Sequence, residues 1–461
     1  MEKEILRAVD LHTEQEREPL LKGFRLQVFS GELVGLVGLN GSGKSTFAKV
    51  LGGEVPLSRG TLALEAGSVH VIQKETRLVS NLRVAENLVL AHGWKPARIL
   101  SDPGKKARLV EALLREYSPR VHKDDLGGSL SPAAQCQVGI LKAFLGGARL
   151  IVLDRILEYC SPKEERELLN LVGRLKAKGP SFLVTYNKVA PCLEGFDRLA
   201  VVREGKVVRT LHRDEYSPDL AAQLMAGGDF RRNKVHQAPA VRDRTGAAAL
   251  SVEGPVPFVL GQGEILGVHD GSRGRAMALF RQLLGEEGKE HLAVHRGIGV
   301  LSEALFEHQI LPGWKPGENL LLAVAKRVSG PLGILPGRVV RHMARTLPGE
   351  MGIPEGKLDL PARNLERDQQ FLLALRKAVL GGAKVLLVEN PFQGADLVTK
   401  ELAYQRLGEL AAGGMGILLF SGDLGDLAGF CHRILLFQED GSWSIRDGLA
   451  MGEETVVQSI L

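Results

Sequence analysis

The sequence predicts an α/β protein made of two tandem copies of one phosphate-loop domain, each built around a largely parallel sheet. Three observations carry this. Segments of the chain recur in the same order at a nearly constant offset, each copy alternates short apolar runs with amphipathic helical stretches, and the first copy holds a glycine-rich loop between a strand and a helix.

The repeat sets the domain organisation. Gly31–Val37 recurs as Gly263–Val268 and Glu86–Ala91 as Glu318–Ala323, both 232 residues further on. Leu150–Asp154 recurs as Val385–Glu389, and Asp197–Val201 as His432–Leu436, both 235 residues further on. Four matches in one order imply a duplicated domain. We place the first at 1–228 and the second at 247–461, with 229–246 as linker. The linker is mixed and unpatterned, and its Arg231-Arg232-Asn233-Lys234 stretch lacks the aromatic interleaving of a nucleic-acid surface.

The elements follow from periodicity. Leu33–Val37 and Leu150–Leu153 are short, apolar and continuous, as strands buried on both faces are. Val69–Gln73 reads as a further strand, and Val385–Val388 repeats the Leu150–Leu153 run in the second copy. Ser45–Leu51, Leu109–Tyr117, Gln135–Phe144 and Glu164–Leu175 have helical spacing.

Composition narrows the class. The chain has 461 residues, 44% hydrophobic and 25% charged, which excludes disordered and fibrous classes. A net charge of +5, from 59 Lys+Arg against 54 Asp+Glu, gives no argument for nucleic-acid binding. No apolar run reaches the roughly 18–20 residues of a membrane span, and Met1-Glu2-Lys3-Glu4 does not open a signal peptide. Cys136, Cys160, Cys192 and Cys431 form no C-x-x-C pair and read as reduced thiols in a cytoplasmic protein.

The loop carries the chemistry. Gly38-Leu39-Asn40-Gly41-Ser42-Gly43-Lys44-Ser45-Thr46 fits G-x-x-x-x-G-K-[ST]. Its glycines let several backbone N–H groups face one phosphate, and the following helix adds its positive end. Lys44 neutralises the outer phosphates, and the Ser45 hydroxyl is a ligand for Mg²⁺. The bland alternative is a glycine-rich turn that binds nothing. Asp154, at the end of an apolar run, reads as a carboxylate that reaches the same Mg²⁺; the alternative is a helix-capping Asp.

These residues resemble the ATP-binding-cassette (ABC) pattern. Gly38–Thr46 resembles the Walker A loop, Gln73 a Q-loop glutamine, Leu130-Ser131-Pro132-Ala133-Ala134-Gln135 a decayed LSGGQ signature, and Asp154 the Walker B Asp. Two cassettes in one chain resemble the tandem ATP-binding subunits of carbohydrate-type importers for ribose, galactose, xylose or nucleosides. The resemblance implies ATP and Mg²⁺ as cofactors, with Gly38, Asn40, Gly41, Ser42, Gly43, Lys44, Ser45, Thr46 and Gln73 on the nucleotide and Ser45, Gln73 and Asp154 on the metal. It also implies membrane permease subunits as partners, a solute-binding protein indirectly, pairing with a second ATP-binding subunit as an option, and no nucleic acid. The place implied is the cytoplasmic face of the cell membrane. The segments after the Q-loop position, Arg77–Asn87 and Glu307–Asn319, are the expected docking surfaces, with Trp314 as an anchor.

The departures bear on activity. The family's catalytic Glu falls on Arg155 in the first copy and Asn390 in the second, and neither is a base near neutral pH. The switch His falls on Tyr186 and Gly422. The second loop, His269-Asp270-Gly271-Ser272-Arg273-Gly274-Arg275-Ala276, has lost Gly-Lys-Ser. Family cassettes pair head to tail, so the resemblance implies that the first loop is faced by Asn364-Leu365-Glu366-Arg367-Asp368-Gln369-Gln370, where Glu366 and Asp368 oppose a phosphate. No aromatic for stacking adenine stands in Leu11–Pro19, where His12 is the nearest substitute. The expected function is an importer ATP-binding subunit that couples nucleotide-dependent domain closure to a permease, with hydrolysis weak or lost and Arg155 as a cation that clamps ATP. The alternative is a nucleotide-sensing pseudoenzyme that regulates or scaffolds an active transporter ATPase.

Overall fold

In the computed structural model the chain divides near residue 232 into two compact units. The structure describes residues 3–14, 21–64, 69–73, 78–90, 103–188, 195–227, 248–270, 274–284, 297–302, 309–328, 337–351, 353, 355–365, 367–391, 397–438, 440–449 and 451. The linker 229–246, Arg77, Glu307, Glu366 and the loop 271–273 lie outside them.

The first unit holds β1 (Glu4–His12), β2 (Lys22–Phe29), β3 (Leu33–Val37), β4 (Arg59–Leu64), β5 (Val69–Ile72), β6 (Leu150–Leu153), β7 (Ser181–Tyr186), β8 (Arg198–Arg203) and β9 (Lys206–His212). A six-stranded sheet runs β5-β6-β7-β3-β8-β9, parallel except for the antiparallel edge pair β8–β9. The helices are α1 (Lys44–Leu51), α2 (Val84–Val89), α3 (Pro103–Tyr117), α4 (Pro132–Leu145), α5 (Pro162–Lys176) and α6 (Pro218–Ala226). Strand β3 is apolar throughout because both faces are covered. Leu33 and Val37 pack in the core that includes α4 and α5, while Val34 and Leu36 pack with β1, β2 and α1 on the other face.

A separate antiparallel sheet, β2-β1-β4, covers that second face. The sequence reading does not contain it. Its strands are half-exposed, and β1 is broken by irregular register between Ala8 and Leu11, so its alternation is blurred.

The second unit repeats the design. Its strands are β10 (Ala248–Val252), β11 (Phe258–Gly261), β12 (Ile265–Asp270), β13 (Ile298–Ser302), β14 (Val385–Glu389), β15 (Gly416–Ser421), β16 (Arg433–Phe437) and β17 (Trp443–Asp447). The main sheet runs β13-β14-β15-β12-β16-β17, which is the strand order of the first unit, copied. Helix α7 (Gly274–Leu283) follows β12 as α1 follows β3.

The recurring residues have matching physical jobs. Asn87 and Asn319 are fully buried, and each fastens the turn before its helix. The Asn87 Oδ1 accepts from Val79 N at 2.8 Å, and the Asn319 Oδ1 from Leu311 N at 2.8 Å. Arg198 grips Glu32 with two nitrogens in the first unit, and Arg433 grips Glu264 at 2.6 and 3.0 Å in the second. The repeat in the sequence is therefore a repeat of buried polar fasteners as well as of strands.

Candidate nucleotide site

The loop Gly38–Gly43 links the C-terminal end of β3 to α1. Gly41 and Gly43 have φ of 74° and 107°, in the left-handed region where glycine is favoured. Gly38 is required for a different reason: a Cβ there would lie 2.3 Å from the Val202 carbonyl oxygen. Gly205 N donates to Ser42 O at 2.8 Å, and Asn187 Nδ2 donates to the Asn40 Oδ1 at 3.1 Å, so the loop is tied to β8–β9 and to the residue after β7.

Lys44 is buried, and its Nζ donates to Gly38 O at 2.7 Å and Leu39 O at 2.8 Å. A phosphate entering the loop offers anionic oxygens in place of these neutral carbonyls, which strengthens the hydrogen bonds. Thr46 is buried in the first turn of α1.

Next to the loop lies a hydroxyl–carboxylate cluster. The Ser45 Oγ donates to Asp154 Oδ1 at 3.0 Å, and the Thr185 Oγ1 donates to the same oxygen at 2.8 Å. Asp154 N donates to Ile72 O at 2.9 Å, which sets Gln73 beside it at the end of β5. Burial pushes the Asp154 carboxyl up, against the lowering pull of the Thr185 and Ser45 hydroxyls and the Arg155 and Lys44 charges. A serine hydroxyl and a carboxylate at this distance are a hard-oxygen pair, a donor set that suits Mg²⁺.

Arg155 follows with φ of 58°, left-handed and outside the usual range for a bulky residue. Its N–H donates to Thr185 Oγ1 at 2.8 Å, and its Nε to Glu158 Oε2 at 2.9 Å. Glu158 is buried; that burial pushes its carboxyl up, with Arg155, Lys44 and Lys188 pulling the other way. The sequence reading missed Glu158, Thr185 and Asn187. An acid three residues after Asp154 was the available signal for Glu158, but nothing in the sequence marked it as buried.

Tyr186, at the switch position of the sequence, ends β7. It is buried, and its hydroxyl donates to Glu165 Oε1 on α5 at 2.8 Å, which makes it a fastener between β7 and α5. Ser131 caps α4, its Oγ accepting from Ala134 N at 3.3 Å. His12 pairs with Asp10, its Nε2 3.3 Å from Oδ1.

In the second unit Asp270 stands where the first has Gly38. It is buried, and its Oδ2 accepts from Arg275 N at 2.7 Å and Ala276 N at 3.2 Å. These N–H groups open α7, where a phosphate oxygen would otherwise find its donors. The chain's own carboxylate therefore takes the N–H groups of Arg275 and Ala276. Glu389 is hydrogen-bonded to the Ser302 hydroxyl. Asn390 has φ of 45° and accepts from Gly422 N at 3.3 Å, so the left-handed turn of Arg155 is kept while its cation is not.

The fold and the loop agree with known proteins. The ABC transporter family profile matches residues 21–157. The ribose import ATP-binding protein RbsA 2 of Rhizobium meliloti (strain 1021) is 27% identical over 93% of this chain and 90% of its own length. The chain is homologous over nearly its whole length to ribose import ATP-binding proteins, and its first unit carries the ABC transporter match. A protein of the same name from Escherichia coli O157:H7 is 26% identical over 95% of this chain and 93% of its own length. Among solved structures, a chain from the crystal structure of archaeal ribosomal stalk protein aP1 with ribosome recycling factor aABCE1 has a TM-score of 0.59 at 18% identity, covering 98% of this chain and 92% of that one. A chain from the model of ribosome-bound archaeal Pelota and ABCE1 has a TM-score of 0.66 at 16% identity, covering 98% and 80%. At these identities the likeness is one of fold. Among the described residues no helix is long and apolar enough to cross a membrane, and no cluster of His, Cys, Asp and Glu has metal-binding geometry.

Proposed function

We propose that this cassette pair is the ATP-binding subunit of an ABC importer for a sugar or nucleoside, working with a membrane permease at the cytoplasmic face of the cell membrane. The observation that carries the reading is the first unit's loop, with Lys44 inside it and Ser45 bonded to Asp154, on a chain that aligns along nearly its whole length with ribose import ATP-binding proteins.

ATP lies with its phosphates on the N–H groups of Gly41–Thr46 and against Lys44. Ser45, Asp154 and Gln73 hold Mg²⁺, which supplies charge neutralisation at the outer phosphates. The second unit holds no nucleotide, because the Asp270 carboxylate occupies the corresponding N–H groups. Hydrolysis is weak or lost, since Arg155 and Asn390 stand where a carboxylate base is needed; such a loss costs roughly 10²–10⁴-fold in rate. Docking to the permease uses the surfaces after Gln73 and around Trp314. Val79, Leu90 and Leu126 in the first unit and Trp314 in the second are exposed apolar side chains suited to a partner.

The test is transport in cells that carry this subunit with its permease. Lys44→Ala stops uptake if the reading is right. Undiminished uptake rejects it. Robust Mg²⁺-dependent turnover by the purified complex removes the claim of weak hydrolysis, and Arg155→Glu is expected to raise turnover. The cation at Arg155 favours the second reading, a nucleotide-sensing pseudoenzyme that regulates or scaffolds an active ATPase. In that case nucleotide still binds at Lys44, but uptake continues when Lys44 is replaced.

A further inference from the structure

Glu158 is a buried charged group beside the first loop to which the proposed function gives no task. Its side chain has no exposure to solvent, and it lies three residues beyond Arg155. The path between them is fixed. The Arg155 N–H is bonded to Thr185 Oγ1, which is also bonded to Asp154, so the Arg155 backbone is anchored at the end of β6. Ile156 and Leu157 then turn into the core, and a short turn of helix over Leu157–Tyr159 carries Glu158 back to the Arg155 side chain.

One oxygen of Glu158 takes the Arg155 Nε at 2.9 Å; the other is buried and has no hydrogen-bond partner among the described residues. A buried carboxylate with one unpaired oxygen costs stability unless neighbouring charge compensates it. The compensation comes from the site itself. Arg155, Lys44 and Lys188 all pull on Glu158, and Arg155 and Lys44 also pull on Asp154. Lys44, Asp154, Arg155 and Glu158 are therefore one electrostatic cluster around the end of the phosphate loop. A guanidinium gripped at Nε has its rotation limited, which fixes the direction of its terminal nitrogens.

We infer that Glu158 is a positioning residue for Arg155: by gripping Nε it holds the guanidinium at the phosphate end of the loop, so that the site distinguishes a nucleoside triphosphate from a diphosphate. This rests on the reading of Gly38–Thr46 as a nucleotide site. Glu158 does not act as a base, because its Oε2 is committed to the guanidinium and the whole side chain is closed to solvent. The discrimination is a matter of charge. A guanidinium in fixed place meets the terminal phosphate of a triphosphate and has no counterpart on a diphosphate.

Calorimetric titration of the full-length protein with Mg²⁺ and either the non-hydrolysable triphosphate AMPPNP or ADP tests this. The wild type is expected to prefer AMPPNP. Arg155→Met and Glu158→Met each lower that preference about tenfold, the size of one charge-assisted hydrogen bond. The double variant loses no more than Arg155→Met alone, because the two residues act as one device. Glu158→Gln keeps an acceptor for Nε and retains most of the preference, which a purely electrostatic or basic role would not allow. Arg155 is one-third exposed and can turn to water when Glu158 is replaced. Should Glu158→Met still fail to fold, the Gln variant and the double Met variant, which removes both charges, carry the comparison. The inference is overturned if Arg155→Met lowers the preference while Glu158→Met does not, or if Arg155→Met leaves it unchanged with ADP binding intact. If the wild type gives no heat with either nucleotide, the nucleotide reading falls and this inference with it.

Discussion

At the scale of single residues, the two units differ in what stands at corresponding positions. Lys44 sits inside the first loop on two carbonyl oxygens, and in the proposed function its charge meets a phosphate. Lys44→Ala is expected to weaken Mg-ATP binding at least tenfold or so by calorimetry, with the fold retained in circular dichroism. Tyr186 is a buried fastener, its hydroxyl donating to Glu165 on α5. Tyr186→Phe removes the hydroxyl's hydrogen bond to Glu165, and is expected to lower the stability of the first unit by about 1 kcal/mol in denaturant melts while nucleotide affinity stays unchanged. Glu264 bears on acid stability. Burial raises its pKa, but the Arg433 guanidinium and the Gly261 N–H outweigh that and hold it below the usual range. A depressed carboxyl contributes stability that is complete above its unfolded value near 4.5 and is lost as the pH falls through the folded value. Acid melts of Glu264→Gln should therefore lose this share of the decline below about pH 4.5, and an unchanged acid limb would refute the assignment.

At the scale of elements, the two strand–loop–helix units differ in what meets the start of the helix. In the first unit, the residue at the end of β3 is glycine because Val202 O leaves no room for a Cβ. In the second, β12 runs one residue further, to Asp270, whose carboxylate caps α7. Asp270→Ala uncovers two helix N–H groups. It is expected to cost the second unit about 1 kcal/mol, measured as a drop in its thermal transition. It should not create a nucleotide site, because Ala276 has no hydroxyl to hold a metal. Nucleotide bound to the second unit of this variant would show that the Asp270 carboxylate alone closes the cradle.

At the scale of the whole molecule, the duplication has kept the scaffold. The main sheets share one strand order, and the buried asparagines and bidentate Arg–Glu pairs recur at matching positions. One nucleotide per chain is the expected stoichiometry. In scanning calorimetry Mg-ATP should raise one of two transitions, since a ligand stabilises only the fold that binds it. A shift in both transitions, or two nucleotides bound per chain, would contradict the assignment of the second cradle as closed.

The sequence by itself determined the duplication, the α/β class and the phosphate loop, because these are written in local order: a repeat at fixed offset, the period of apolar residues, and glycines at set spacing before Lys44. Only the tertiary structure decided which polar residues are committed to each other. The Tyr186 hydroxyl turns to Glu165, 21 positions away in the chain; Asn187 reaches back to Asn40; and the Asp270 carboxylate folds onto the helix that follows it. The antiparallel sheet of β1, β2 and β4 belongs with these, since its half-exposed strands gain their order from pairing across the chain. A hydrogen bond between distant residues leaves no periodic trace, and burial of a charge such as Glu158 depends on elements that the local pattern does not place.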